Sequence, residues 1–162
     1  MMHKTTAHAD NLESLASHDE QLHPQSELQA VAARTEQEVL LADDDPDFLL
    51  QHRTLFQSLG FQVAAVESHR EAVEHLENHQ PALAVVDLMM EESDSGFALC
   101  HEIRRRYPET PIIIVTSAGA QTGYDFQSLS GHERSWIEAD AVLAKPIRYD
   151  QLTGHVTRLL DR

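Results

Sequence analysis

The chain has 162 residues, enough for one domain with its own core and too short for a typical multidomain enzyme. Twelve Lys and Arg stand against 27 Asp and Glu, a formal charge of −15, and a surface of that sign repels nucleic acid and anionic membranes, so neither is expected as a partner. Cys100 is the single cysteine, which excludes an internal disulfide and a thiolate zinc site; no run reaches the roughly 18 apolar residues of a membrane span, and Met1 to Asp10 lacks a signal-peptide core, so a cytoplasmic location is expected.

Residues 1–36 contain no Ile, Phe, Trp or Tyr and cannot bury enough surface to offset ordering entropy; they read as a flexible, acidic, His-rich tail ahead of a domain over 37–162. Its His3, His8, His18 and His23 lack the spacing that preorganises a metal site. From Val39 the pattern changes to short apolar runs separated by helix-length segments. Val39 to Ala42 (VLLA) is a buried strand ending in Asp43, Asp44 and Asp45. Asp45 suits an N-cap with Pro46 at the first helical position, and Phe48, Leu49, His52, Leu55, Phe56 and Leu59 recur at helical spacing up to a stop at Gly60. Phe61 to Val66 is a second strand. Ser68 with Glu71 forms a capping box opening a helix that carries Ala72, Val73 and Leu76.

Ala82 to Met90 is a continuous apolar strand of the kind buried on both faces, and it delivers Asp87 at its C-terminal end. Gly96 to Tyr107 reads as a helix whose end carries Arg104, Arg105 and Arg106, a solvated cationic face that complements the helix dipole. Pro111 to Ala118 and Ala141 to Pro146 are the fourth and fifth strands, and Gln151 to Leu160 closes the chain as a helix. Between them, Gly119 to Asp140 holds three glycines and a broken helical pattern. Five strands alternating with helices predict an α/β fold: a doubly wound, five-stranded parallel sheet with functional groups at the carboxyl ends of its strands.

In such a sheet Asp43, Asp44, Asp87, Thr116 and Lys145 share one edge and converge. Three carboxylates that close repel one another unless a cation neutralises them, and hard oxygen ligands suit Mg²⁺. A Lys and a Thr hydroxyl in the same crevice suit the oxygens of a phosphoryl group, with Asp87 as nucleophile.

With LLADDDPDF, AVVDLMM, IIIVTSA and AVLAKP in that order, the chain from about Glu38 onward resembles the receiver domain of two-component response regulators, a flavodoxin-like fold. The resemblance implies phosphorelay signal transduction by a phosphoprotein rather than metabolic catalysis. Asp87 would be the phosphoacceptor, Asp44 a direct and Asp43 a water-mediated Mg²⁺ ligand, and Met89 would offer its backbone carbonyl to the metal. Thr116 and Lys145 would bind the phosphoryl oxygens, and Lys145-Pro146 would be cis. The donor would be a sensor histidine kinase or phosphotransfer protein, and the output a contact with a further protein. With no output domain after the last helix, the expectation is a stand-alone receiver.

Several positions depart from the family pattern. Glu91 stands where a Pro is usual, Gly96 falls one position late, and Val142 replaces an aromatic that swings inward on phosphorylation. The Thr116 to Lys145 segment is long and contains Tyr124, Phe126 and Trp136. Met89 and Ala118 are apolar where polar groups that orient attacking water are common, which predicts a long-lived acyl phosphate. Two rival readings follow. One is a receiver-like interaction module that works without phosphorylation. The other is a haloacid-dehalogenase-like phosphatase, suggested by Asp43-Asp44-Asp45 but lacking that family's second acidic motif.

Overall fold

A computed structural model describes residues 36–90, 95–117 and 138–161. Residues 1–35 of the expected tail, the Glu91 position, Ala118 and the aromatics Tyr124, Phe126 and Trp136 lie outside the described residues. The elements in chain order are β1 (Glu38–Ala42), α1 (Pro46–Ser58), β2 (Gln62–Val66), α2 (His69–Leu76), β3 (Leu83–Asp87), α3 (Ser95–Arg106), β4 (Ile112–Thr116), β5 (Ala141–Ala144) and α4 (Tyr149–Leu160). All five strands are parallel, in the spatial order β2-β1-β3-β4-β5. This is the flavodoxin-like arrangement expected from the alternation of strands and helices.

Local chemistry sets the element ends. Asp45 caps α1, its side chain accepting from the Asp47 and Phe48 N–H groups at 3.0 and 3.3 Å, and Pro46 follows at the first position, where its missing N–H costs nothing. Gly60 ends the first βα unit at φ 94°, a conformation that strains any residue with a Cβ. The capping box of α2 forms with a shift: Ser68 Oγ accepts from Glu71 N–H at 3.1 Å, while the Glu71 carboxylate reaches back to the N–H of Glu67 at 3.0 Å.

Strand alternation then builds a core on each face of the sheet. Leu40, Ala84, Val86, Ile112 and Ile114 pack with Ala72 and Leu76 of α2 and with Leu99, Cys100 and Ile103 of α3. Val39, Leu41, Val85, Ile113, Val115 and Leu143 pack on the other face with Leu49 and Phe56 of α1 and with Leu152, Val156 and Leu159 of α4. With α1 on one face and α2 on the other, the chain reverses winding direction between β1 and β3, and a crevice opens there at the carboxyl edge. Among the described residues no helix is long and apolar enough to cross a membrane.

The arginine run departs from the solvated-face expectation. Arg105 is exposed and pairs with Glu102, as does Arg106. Arg104 instead donates to the carbonyls of Pro108, Thr110 and Glu138 and to Asp140 Oδ2 at 3.0 Å, and that same oxygen accepts the Ile112 N–H at 2.9 Å. A planar fork with five donors can tie four acceptors from two chain segments together. It fastens the entry to β5 onto the end of α3, where Glu138 takes a left-handed φ of 53°.

Candidate functional site

Asp43 follows β1 directly, and its N–H still bonds the Val66 carbonyl at 3.2 Å, so the β-ladder carries its side chain to the crevice. It is fully buried; Oδ1 accepts the Asp45 N–H at 2.9 Å and Oδ2 accepts from Lys145 Nζ at 2.6 Å. Asp44 is exposed at the mouth. Asp87 is the last residue of β3 and only 4% exposed, on a backbone held on both sides: Leu88 N–H bonds the Val115 carbonyl at 2.9 Å, and Gly96 of α3 lies across it. A Cβ at Gly96 would stand 2.3 Å from the Asp87 carbonyl and 2.5 Å from that of Leu88, so the helix can come this close only with hydrogen there.

Thr116 ends β4 with 2% exposure, and its carbonyl accepts the Lys145 N–H at 2.9 Å, which keeps Lys145 in step one residue past β5. The Lys145-Pro146 peptide is cis. Lys145 Nζ lies 2.6 Å from Asp43, 3.5 Å from Asp87 Oδ2 and 4.4 Å from the centre of the Phe48 ring. Asp43, Asp44 and Asp87 each offer a carboxylate oxygen within 4.8 Å of the others. Asp43, Asp44, Asp87 and Lys145 thus stand together, with Thr116 at the end of the neighbouring strand β4 and Met89 two residues beyond Asp87 and 37% exposed.

The electrostatics are those of a crowded acidic pocket. Burial pushes the Asp87 carboxyl up to about 6, reinforced by the charge of Asp43 and opposed by Lys145 and by the Met89 N–H. Burial also raises Asp43, against the hydrogen bond from Lys145. Lys145 reaches two of the three carboxylates, Asp43 and Asp87, and among the described residues Asp87 Oδ1 is buried with no hydrogen-bond partner. A buried carboxylate oxygen without a donor beside two more carboxylates fits a hard divalent cation, which would supply the missing charge and the missing partner together. The residues present therefore fit Mg²⁺.

Two neighbours of this site escaped the sequence reading. In the sequence Phe48 and His52 read as part of the apolar stripe of α1, yet the Phe48 ring faces Lys145 and stacks on His52 with centroids 3.8 Å apart. Their (i, i+4) spacing signals that the two rings meet, whereas nothing local signals a lysine 97 residues further along the chain. In the sequence Gly96 reads as the start of a helix, one position late, with nothing to tie it to Asp87. Its contact with Asp87 belongs to the packing of α3 on β3.

A family model for the response regulator receiver domain matches residues 39–157. The response regulator Rre1 of Synechocystis is 31% identical over 127 residues, covering 76% of this chain and 52% of that protein. The heme response regulator HssR of Staphylococcus aureus is 31% identical over 124 residues, covering 76% and 51%. The chain spans about half the length of the curated relatives it matches. Among solved structures, a CheY-like receiver domain protein from Methanospirillum hungatei superposes with a TM-score of 0.64 at 23% identity, over 77% of this chain and 94% of that one. The response regulator TrrA of Thermotoga maritima, in complex with Mg²⁺ and BeF, does so at 0.62 with 25% identity, over 76% and 99%.

Proposed function

The chain belongs to the response regulator receiver domain family, and from that premise we propose that it takes a phosphoryl group on Asp87 from the phosphohistidine of a sensor kinase or phosphotransfer protein. Residues 37–162 form the receiver in this reading, and it passes the signal on through contacts with a further protein. Receivers are signalling domains of two-component systems, and one of the matched structures, that of TrrA, is a complex with Mg²⁺ and BeF.

Each side chain has a role in this transfer. A carboxylate oxygen of Asp87 attacks phosphorus, the P–N bond to the donor imidazole breaks, and its electron pair stays on the leaving nitrogen. The product is an acyl phosphate whose oxygens carry more charge than the carboxylate did. Lys145, already 3.5 Å from Asp87, moves from Asp43 toward those oxygens, and the Thr116 hydroxyl donates to another. Asp43, Asp44, Asp87 and the Met89 carbonyl would hold Mg²⁺, which when bound neutralises the carboxylates and the incoming phosphoryl charge. The buried backbone of Asp87, fixed by Gly96, keeps the nucleophile from drifting during attack.

The convergence of three carboxylates from the ends of β1 and β3, two of them in contact with one lysine from beyond β5, carries this reading. Intact-mass analysis after incubation with acetyl phosphate tests it: a single phosphate that requires Mg²⁺ and disappears in Asp87→Ala is expected. Phosphate uptake that survives in Asp87→Ala refutes the assignment. One observation favours the alternative of a module that acts unphosphorylated: Val142 is a short aliphatic residue packed against the core cluster beneath α2 and α3. Partner binding that is unchanged by Asp87→Ala supports that alternative. The phosphatase reading loses its motif, since Asp45 is taken up in capping α1.

A further inference from the structure

Lys145 has to release Asp43 and meet a phosphoryl oxygen on Asp87 without being lost to solvent, and the carboxylates do not by themselves ensure this. Its Nζ sits 2.6 Å from Asp43 Oδ2, so a charge-assisted hydrogen bond holds it in the resting position, against 3.5 Å to Asp87 Oδ2. A third neighbour is the Phe48 ring, 4.4 Å from Nζ to its centre, within the range where a ring face attracts a cation. That attraction is broad and carries no net charge. It therefore persists while Nζ shifts by about an ångström, as the steep hydrogen bond to Asp43 does not.

The ring is itself fixed. His52, one turn along α1 and 6% exposed, stacks behind it at 3.8 Å and an interplanar angle of 23°. His52 Nδ1 donates to the Phe48 carbonyl at 2.9 Å, which sets both its tautomer and its orientation. Burial pushes the His52 pKa down, which favours the neutral ring behind Phe48 over a charged one that would oppose the ammonium in front.

Building on the assignment of Asp87 as phosphoacceptor, we infer that Phe48, backed by His52, is a positioning residue that keeps the Lys145 ammonium in the crevice as it passes from Asp43 to the phosphoryl group. Phe48 acts through Lys145, the charged group its ring faces.

Two variants test this, with acetyl phosphate as donor at saturating Mg²⁺. Phe48→Leu keeps an apolar side chain but removes the π face, and is expected to slow phosphorylation about three- to thirtyfold, the range set by a partly desolvated cation–π contact. Phe48→Tyr keeps the face and is expected to retain the wild-type rate. Mg²⁺ affinity should be unchanged in both, and the Lys145 ε-methylene protons should lose their ring-current shift in Phe48→Leu alone. An unchanged rate in Phe48→Leu overturns the inference. So does an equal loss in both variants, or a loss of Mg²⁺ affinity in step with the rate, since either points to packing. If the wild-type chain takes no phosphate from acetyl phosphate or any kinase, the assignment of Asp87 fails and this inference with it; a phosphorylated wild type beside an unaffected Phe48→Leu removes this inference alone.

Discussion

Replacing Asp87 by Asn should stabilise the fold in the absence of metal. In the folded chain the Asp87 carboxyl is raised to about 6 from 3.8, chiefly by burial and by the charge of Asp43. The folded state therefore holds this proton more tightly than the unfolded state does, and burying the ionised form opposes folding. The penalty is absent below about pH 3.8, grows as pH rises, and is complete above about pH 6. A shift of about two units corresponds to about 3 kcal/mol at neutral pH, with the attraction to Lys145 already included. Asn is close to isosteric and uncharged, and Lys145 keeps its shorter contact to Asp43. Urea unfolding in EDTA at pH 7.5 should show Asp87→Asn more stable by up to about 3 kcal/mol, or about 10 °C in Tm. At pH 4 most of the gain should be gone. Mg²⁺ should narrow the gap from the other side, because a ligand at 100 times its Kd stabilises the wild type by about 2.7 kcal/mol while Asn binds it poorly. A variant no more stable than wild type at pH 7.5, or a gain that persists undiminished at pH 4, refutes the electrostatic account of this pocket.

Gly96→Ala should destabilise the chain by about 2 kcal/mol or more despite the better helix propensity of Ala, because the added methyl meets rigid backbone at Asp87 and Leu88; denaturant midpoints check this, and a neutral result would mean that α3 can move away from β3. Arg104→Ala should cost about 2 kcal/mol by leaving the Glu138 carbonyl without its donor and the Asp140 carboxylate with only the Ile112 N–H and no cation, and Arg104→Lys should recover only part of it, since an ammonium cannot span four acceptors. Cys100 is fully buried with its thiol pushed up to about 12, so modification by a disulfide reagent should wait for unfolding and track the urea transition. Met89→Asn, at the exposed rim beside the proposed acceptor, should shorten the lifetime of the phosphorylated form by giving water a hydrogen-bond partner; an unchanged lifetime by phosphate-affinity gel would count against an apolar rim as the source of persistence.

What sequence alone determined here is whatever is local or periodic. The runs Val39 to Ala42 and Leu83 to Val86 are apolar on both faces, and only a sheet covered on both sides buries them, so fold class and strand order in the chain were legible. Asp45, Ser68 and Gly60 act within a few residues of themselves, through caps and a left-handed turn, and were legible for the same reason. Because parallel strands all point one way, residues ending different strands must share an edge, which is why Asp43, Asp87, Thr116 and Lys145 could be gathered before any contact was known. Tertiary structure decided what depends on distance between segments far apart in the chain. Arg104 reads as a solvated cation until β5 brings Glu138 and Asp140 beneath it. His52 reads as one more member of an apolar stripe until the Phe48 ring on which it stacks meets Lys145. Gly96 reads as the first residue of a helix, one position late, until α3 settles on β3 and its missing Cβ becomes the condition for holding Asp87 in place. Periodicity specifies which face of an element is buried, but the partner of a given side chain is chosen only when the layers pack.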